Sequence, residues 1–243
     1  MFVKGQPRDP AEGEGRESEM VRKTKEAALA TKEALIDAAE QVFRREGVSR
    51  TSLAEIAAEA GVTRGAIYWH FRDKAELLDA MCARTVLPLD AAFARAGEAA
   101  RVDPLGTLSK LAVDALTQLA RDPRTQAVFE ILFHKCELVG ELAQRNAAQQ
   151  VDRSECLCTV EKLFELAIAK GQLPPDTDTR LCTNMMHAYV IGLMHEWVLD
   201  PTAYDLLAAA PTMIETFVAG LQARPPRQLG AKRDAPVVEA STG

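Results

Sequence analysis

The stretch from Thr51 to Lys74, TSLAEIAAEAGVTRGAIYWHFRDK, restricts the fold of this chain more than any other part of it. Ser52 followed by Glu55 three residues later is the capping-box pattern of a helix start, and the apolar residues after it recur at helical spacing. Gly61 suits the positive φ that often ends a helix. The sequence therefore predicts two short helices that are joined by a tight glycine turn.

The second of these helices is predicted to have one buried and one exposed face. Thr63 is a good N-cap residue, and Ile67 and Phe71 lie four residues apart, so both can pack on the first helix. Two helices with a short glycine-containing turn form a helix-turn-helix, whose second helix enters the major groove of DNA. A purely structural helical hairpin of this size is the alternative interpretation.

Hydrogen-bond donors are concentrated on the face that this packing leaves exposed. Arg64 can make a bidentate contact to guanine, and Gly65 allows a close approach of the backbone. Tyr68 and His70 can donate to phosphate oxygens, as can a lysine at the end of the stretch. The candidate DNA-contacting residues are Thr51, Ser52, Thr63, Arg64, Gly65, Tyr68, Trp69, His70 and Lys74.

The segment GVTRGAIYWHFRDKAEL resembles the recognition-helix signature of the TetR family of transcriptional regulators. The resemblance continues upstream through MVRKTKEAALATKEALIDAAEQVFRREGVSRTSLAEIA and downstream in EILFHKCE, where it is similar to the AcrR branch of multidrug efflux pump repressors. It extends from about residue 20 to about residue 222. It implies a DNA-binding head, a ligand-binding body and a homodimer.

The periodicity along the whole chain is helical, and no strand pattern is present. The prediction is an all-α fold of about nine helices, with a three-helix head over residues 20–73 and a ligand-binding and dimerisation body over residues 74–222. Residues 1–19 are rich in Gly, Pro and charge, which predicts a disordered tail or an untranslated segment with translation from Met20. Residues 223–243 are predicted to be a second disordered tail.

The distribution of charge is more informative than its total. The formal net charge is −6, which argues against a non-specific nucleic-acid coat. Residues 20–75 hold 10 Lys and Arg against 8 Asp and Glu, so this part carries +2 and the rest carries −8. A mildly basic head on an acidic body suits a protein that reads one groove of DNA, and it also fits other soluble proteins.

Sequence patterns of enzymes and metal sites are missing. There is no G-x-S-x-G, no phosphate-binding glycine loop and no H-E-x-x-H, so we expect no catalytic activity, no cofactor and no bound metal. The five cysteines are interpreted as reduced cytoplasmic thiols, because their number is odd and no signal peptide is evident. No apolar run approaches the length of a membrane span, so we expect no membrane partner.

Charged and proline residues mark further boundaries. Arg22, Lys23 and Lys25 form either an arm that contacts DNA or a solvated leader to the first helix, which is predicted from about Glu26. Pro88 should kink or break the helix that Asp73 caps, because an interior proline removes a hydrogen bond. A long seventh helix is predicted over about residues 142–170. The last helix is predicted to begin with Pro211 at its first position.

Aromatic and methionine side chains of the body are candidates for a ligand cavity, since such side chains form an adaptable apolar wall. Helical spacing alone favours an ordinary core for them, whereas the family resemblance favours a cavity for the group. The candidate ligand-binding residues are Phe129, Phe133, Met185, Met186, Tyr189 and Met194. Glu130, Glu161 and His134 are possible polar partners of a cationic ligand. The predicted dimer interface contains Leu193, Trp197, Phe217 and Leu221.

Together these features predict a ligand-responsive repressor of a multidrug efflux operon. It would bind pseudo-palindromic double-stranded operator DNA as a homodimer and leave it when a hydrophobic inducer binds. The hypothesis for induction is that the ligand displaces the fourth helix, which Pro88 divides. A regulator of a catabolic operon and an activator with the same head are the alternatives, and a DNA-bending architectural protein fits less well because the body is acidic.

Overall fold

The computed structural model describes residues 10–85, 89–137 and 157–228 of the 243-residue chain. Side chains are described from residue 24 onward, with a further gap at residues 86–94. The described residues form ten helices, and a single isolated bridge between Thr177 and Arg227 is the extent of their β structure. The predicted all-α class is therefore confirmed.

The ten helices follow one another with short connections. They are α1 (Pro10–Glu46), α2 (Leu53–Glu59), α3 (Arg64–His70), α4 (Lys74–Ala83), α5 (Leu89–Val102), α6 (Pro104–Arg121), α7 (Pro123–Glu130), α8 (157–169), α9 (Thr179–Leu199) and α10 (Leu206–Ala223). One π turn, Ile131–Lys135, continues directly from α7.

Helices α1 to α4 surround the first of two apolar cores. The α1 stripe of Leu35, Ala39 and Phe43 is fully buried against α2 and α3. The same core takes in Leu77 and Leu78 of α4. Helix α4, which lies beyond the predicted boundary at residue 73, supplies part of the apolar surface that holds the head together.

Local sequence accounts for the ends of the short helices. The Ser52 hydroxyl accepts from the Glu55 amide, and the Glu55 carboxylate accepts from the Ser52 amide at 2.7 Å, which completes the predicted capping box. Gly61 has a φ of 67°, as predicted for the turn. Asp73 caps α4 through a 2.8 Å hydrogen bond from the Glu76 amide. These bonds define where α2 and α4 begin, and Gly61 forms the turn after α2.

The second core lies in the body, among α5, α6, α8, α9 and α10. Its largest buried side chains include Phe164 of α8, Leu116 of α6 and Trp197 of α9. Helices α6 and α10 pack along each other over much of their length. The turn before α6 is tied to the end of α8, because Gln172 donates to the Asp103 carboxylate and accepts from the Leu105 amide.

Both termini of the described chain differ from the prediction. Helix α1 begins at Pro10 instead of near Glu26, so part of the predicted tail is helical. Proline suits a first helical position, and Ala, Glu and Arg favour the helix even where no apolar stripe exists. After α10, the Asp178 amide donates to the Pro226 carbonyl and the Gln228 amide to the Asp176 carbonyl, so residues 224–228 pair with the α8–α9 loop.

The predicted start of the last helix is wrong. Helix α10 begins at Leu206, where Asp205 accepts from the Ala208 amide at 3.2 Å, and Pro211 lies inside the helix. The aspartate cap and the burial of Leu206 and Ala210 outweigh the hydrogen bond that Pro211 cannot donate. The exposed ring of Pro211 faces away from the core.

Two predicted features lie outside the described residues. One is the kink at Pro88, and the other is the first half of the predicted seventh helix, of which residues 157–169 are described. The terminal residues 1–9 and 229–243 also lie outside. Elsewhere the predicted helices of the body agree with α6, α7 and α9 to within a few residues.

Helix α10 has an unusual composition for a helix at the surface. It is the one described helix that is long and apolar enough to cross a membrane, with a mean hydropathy of 1.3 and 28% of its residues buried. The core helix of a soluble protein can have the same composition. Here Ile214, Val218 and Leu221 are buried in the body, and much of the remaining apolar surface is exposed.

Candidate nucleic-acid interface and ligand site

Helix α3 has the two faces that the sequence predicts. Ile67 is fully buried and Phe71 is 2% exposed, so both anchor the helix in the core of the head. Trp69 is 73% exposed and Tyr68 is 48% exposed on the opposite side. The N-cap is also as predicted, since the Thr63 hydroxyl accepts from the Ala66 amide. The structure thus presents one polar and aromatic face of α3 to solvent.

Contacts between neighbouring side chains organise this exposed face. The Arg64 guanidinium lies over the Tyr68 ring, 5.7 Å from its centroid, so a cation–π contact holds the arginine beside the ring. The Trp69 and His70 rings meet edge to face with centroids 4.5 Å apart. Thr63 and Gly65 are exposed at the start of the helix. A positive charge and two large rings therefore project together from one short helix.

His70 is only partly available at the end of α3. Burial lowers the pKa of its imidazole, and the positive charge of Lys32 lowers it further. Lys32 comes from α1, and its Nζ lies 5.8 Å from the centroid of the Phe71 ring. Sequence reasoning missed Lys32 because no local pattern places it beside α3; the contact depends on how α1 crosses the head.

Three other predicted DNA contacts have structural roles. Thr51 is 2% exposed, and its hydroxyl donates to the Gly47 carbonyl at 2.8 Å, so this side chain is not available to DNA. Ser52 is exposed, but its hydroxyl and amide are both engaged in the capping box. Lys74 donates from Nζ to the carbonyls of Val48 and Ser49, at 2.8 and 3.2 Å. Lys74 therefore holds the loop between α1 and α2.

The hydrogen bonds of Lys74 thus give little support to its predicted contact with a DNA phosphate. An ammonium group that donates to two backbone carbonyls has one donor left, and moving it to a phosphate would break both of these hydrogen bonds. The sequence could not reveal this, because Val48 and Lys74 are 26 positions apart.

Aromatic side chains of the body form a continuous cluster. Phe129 and Phe133 have centroids 5.4 Å apart, and both are half-buried against the core of the body. The Phe133 ring lies 5.3 Å from the ring of His195, which in turn lies 4.9 Å from that of His134. The cluster joins the end of α7 to α9. Flat, adaptable walls of this kind suit aromatic ligands.

The other predicted ligand residues are distributed between core and surface. Met186 and Met194 are 4% and 5% exposed and belong to the core of the body. Tyr189 stacks on Phe217 with centroids 4.7 Å apart, and its hydroxyl donates to the Met213 carbonyl. Met185 is 38% exposed, so it faces outward and is not part of the aromatic cluster. The position of Met185 corrects the prediction, since an apolar residue of α9 can occupy either face.

The predicted acidic partners of a ligand are already paired. Glu130 accepts from the Arg44 guanidinium at 2.9 Å, and Glu161 accepts from the Thr179 hydroxyl at 3.2 Å. Both carboxylates therefore already have partners within the subunit. Within residues 10–85, 89–137 and 157–228, no group of three or more metal-binding side chains is found.

The predicted dimer interface needs correction in the same way. Trp197 and Leu221 are 8% and 3% exposed, so they fill the core of the subunit and cannot provide a docking surface. Leu193 and Phe217 are half-buried. The exposed apolar residues of α9 form a different stripe, with spacings of three, four or seven residues. It consists of Leu181, Met185, Ala188, Gly192 and Leu199.

Comparisons with known proteins agree with this architecture. Residues 35–81 match bacterial regulatory proteins of the tetR family, and residues 103–223 match the C-terminal region of MAATS-type transcriptional repressors. The chain is 41% identical over 207 residues to the HTH-type transcriptional regulator TtgR of Pseudomonas putida, covering 85% of this chain and 98% of that protein.

Solved structures show the same similarity. The crystal structure of NalD, the secondary repressor of the MexAB-OprM multidrug efflux pump in Pseudomonas aeruginosa, superposes with a TM-score of 0.74 at 32% identity, covering 80% of this chain and 97% of NalD. A complex of SmeT with triclosan has a TM-score of 0.69 at 31% identity, covering 79% and 91% of the two chains. Matches to both parts of the chain, and to relatives over nearly their whole length, lead to one conclusion: the chain belongs to the TetR family of transcriptional regulators.

Proposed function

We propose that this regulator represses a multidrug efflux operon from the cytoplasm, binding its operator as a homodimer and leaving it when an apolar aromatic compound binds the body. The observation that carries the DNA-binding part is the exposed face of α3, where Arg64, Tyr68 and Trp69 project from a helix that Ile67 and Phe71 anchor. Such a face has both a donor for guanine and rings for apolar contact with base methyl groups.

A dimer follows from the small size of this face. One helix of seven residues contacts few base pairs, whereas two copies related by a two-fold axis double the contacts, with half-sites about 34–36 Å apart or a multiple of that spacing. The α9 stripe of Leu181, Met185, Ala188, Gly192 and Leu199, together with the exposed Leu207 of α10, provides the apolar surface for a second copy. The largely exposed apolar helix α10 would be covered by the same contact.

The nature of the inducer is inferred from the aromatic cluster. Phe129 and Phe133 offer ring faces at the end of α7, and His195 offers an imidazole that can donate or accept a hydrogen bond. NalD and SmeT, the repressor of the Stenotrophomonas maltophilia multidrug efflux pump SmeDEF, support the efflux assignment, and triclosan, present in the SmeT complex, is a chlorinated aromatic phenol. An aromatic compound with a hydroxyl group is therefore the ligand class that fits best.

Protection mapping of the DNA around the gene for this protein tests the DNA-binding proposal. We expect a footprint with two-fold symmetry that overlaps a promoter, and we expect Arg64→Ala to lose the footprint at concentrations where the wild type gives full protection. The matched control is Arg50→Ala, which removes an exposed arginine outside α3. A wild-type protein that protects no site there, or none flanking an efflux operon, would contradict the proposal.

Induction can be tested with triclosan as the probe. We expect saturating triclosan to weaken operator binding about 5- to 150-fold, the usual range of allosteric coupling. Phe133→Ala should weaken triclosan binding, whereas Met185→Ala should not, because Met185 faces away from the cluster. Equal effects of the two substitutions on triclosan affinity would rule out the aromatic cluster as the binding site.

A further inference from the structure

The segment formed by α7 and its π turn belongs to both cores of the molecule. Val128 and Ile131 are fully buried in the core of the head. Phe129 and Phe133, the neighbours of these residues along the same segment, pack against the core of the body. A backbone shift of this segment that displaces the two phenylalanines therefore also displaces apolar side chains in the core of the head.

The backbone makes a second connection at the end of the same segment. The Lys135 carbonyl, the last of the π turn, accepts a 2.9 Å hydrogen bond from the Val48 amide in the α1–α2 loop. One turn earlier, Glu130 is paired with Arg44 of α1. The loop that donates this bond leads directly to Ser52, the N-cap of α2. The π turn thus contacts the head immediately before α2.

A π turn contains one more residue than the α-helical turn that could replace it, and such turns are frequent at functional sites. Conversion to the α form would change the register by one residue, which rotates the following carbonyl by about 100° and shifts it by about 1.5 Å. Either change is sufficient to break the hydrogen bond between Lys135 and Val48, because such bonds require close distance and alignment.

We propose that the π turn Ile131–Lys135 is the switch through which the aromatic cluster controls the head. The closed form, with Lys135 bonded to Val48, favours operator binding, and a ligand that rearranges Phe129 and Phe133 opens it. This inference rests on the proposed function, because it assumes an operator and an inducer. It differs from a mechanism in which only α4 moves, since the switch acts on the α1–α2 loop directly.

The hydrogen bonds of Val48 explain why the closed form favours DNA. Its amide is held by the Lys135 carbonyl, and its carbonyl is held by Lys74 Nζ and the Thr51 amide, so opening the π turn removes the support at the amide. A loop that is less restrained lets α2 and α3 vary in position, and ordering them again on DNA reduces the binding affinity. The switch therefore changes the conformational freedom of α2 and α3, and it leaves the DNA-contacting residues themselves unchanged.

Amide hydrogen exchange of the wild-type protein tests the proposal without any ligand. Coupling is reciprocal, so operator DNA should close the switch and slow exchange of the Val48 amide at least about fivefold. The Gly47 amide is the control, because its bond to the Phe43 carbonyl closes the end of α1 and does not involve the π turn. Operator binding that leaves Val48 exchange unchanged, or slows both amides equally, would overturn the proposal.

A pair of variants provides an independent test. Deletion of Leu132 removes the extra residue and forces the α-helical register, whereas Leu132→Ala removes the same half-buried side chain and keeps the π turn. The deletion should weaken operator binding at least about tenfold relative to Leu132→Ala. A folded deletion variant that binds as tightly as Leu132→Ala would contradict the switch, and if the deletion prevents folding, the exchange measurement decides. Failure of the wild type to bind any operator would instead contradict the proposed function.

Discussion

The ammonium group of Lys74, at the start of α4, donates to the carbonyl of Val48 in the α1–α2 loop at 2.8 Å. The same group donates to the Ser49 carbonyl at 3.2 Å. We expect Lys74→Ala to lower the free energy of unfolding by about 1–2 kcal/mol, because charged hydrogen bonds to two carbonyls are lost. Urea unfolding measures this effect. A lower salt dependence of DNA binding with unchanged stability would instead support a phosphate contact.

The second prediction concerns the separate roles of Arg64 and Tyr68 on α3. Arg64→Ala should reduce operator affinity by roughly 1–3 kcal/mol and relax the preference over random DNA. Tyr68→Phe keeps the ring beneath Arg64 and removes only the hydroxyl, so we expect a loss of about 1 kcal/mol that is similar for both DNAs. Competition titrations with operator and random duplexes separate the two effects. The base-reading role of Arg64 is excluded if its substitution weakens both DNAs equally.

The third prediction tests the dimer surface. Met185→Glu places a charge in the centre of the proposed contact, and we expect it to weaken dimerisation by about 2 kcal/mol or more, which is about 30-fold. Val102→Glu is the matched control, since Val102 is 66% exposed on α5, away from the α9 stripe. Sedimentation equilibrium measures both variants. A Met185→Glu protein that dimerises as tightly as Val102→Glu would remove this stripe from the interface.

The fourth prediction concerns acid stability at the start of α7. Asp122 caps this helix, and the Thr125 hydroxyl, which donates to its carboxylate at 2.6 Å, lowers the pKa of Asp122. A carboxyl group with a lowered pKa stabilises the folded state fully above its unfolded value of about 3.9 and loses this contribution as the pH falls through the folded value. Asp122→Asn should therefore reduce the loss of stability below about pH 4. Urea unfolding at a series of pH values measures the difference, and an unchanged pH profile would contradict it.

Much of the head could be predicted because its geometry depends on local bonds. The capping box of Ser52 and Glu55, the cap of Asp73 and the turn at Gly61 all connect residues within a few positions of one another. The inward side of α3 was also predicted, since its two anchors lie on a short helix with few apolar residues. In such elements the sequence pattern determines both the helix ends and the buried face.

The faces of the body helices could not be predicted in the same way. Helix α9 is apolar on most sides, so its pattern did not show that Trp197 faces the subunit core and that Met185 faces solvent. The role of Lys74 and the bond from Val48 to Lys135 connect residues far apart in the chain. Contacts of this kind depend on how whole helices pack, and the sequence pattern of a single helix contains no information about them.

The two tryptophans of the chain lie in opposite environments, one on the recognition helix and one in the core of the body. The Trp69 indole is 73% exposed, whereas Trp197 is 8% exposed and its Nε1 has no hydrogen-bond partner among the described residues. Their fluorescence should therefore be separable, since iodide can quench an exposed indole and a buried apolar indole emits at shorter wavelength. Quenching of the long-wavelength emission would report DNA binding at the head. Changes in the short-wavelength emission would report ligand binding in the body, in the same unlabelled sample.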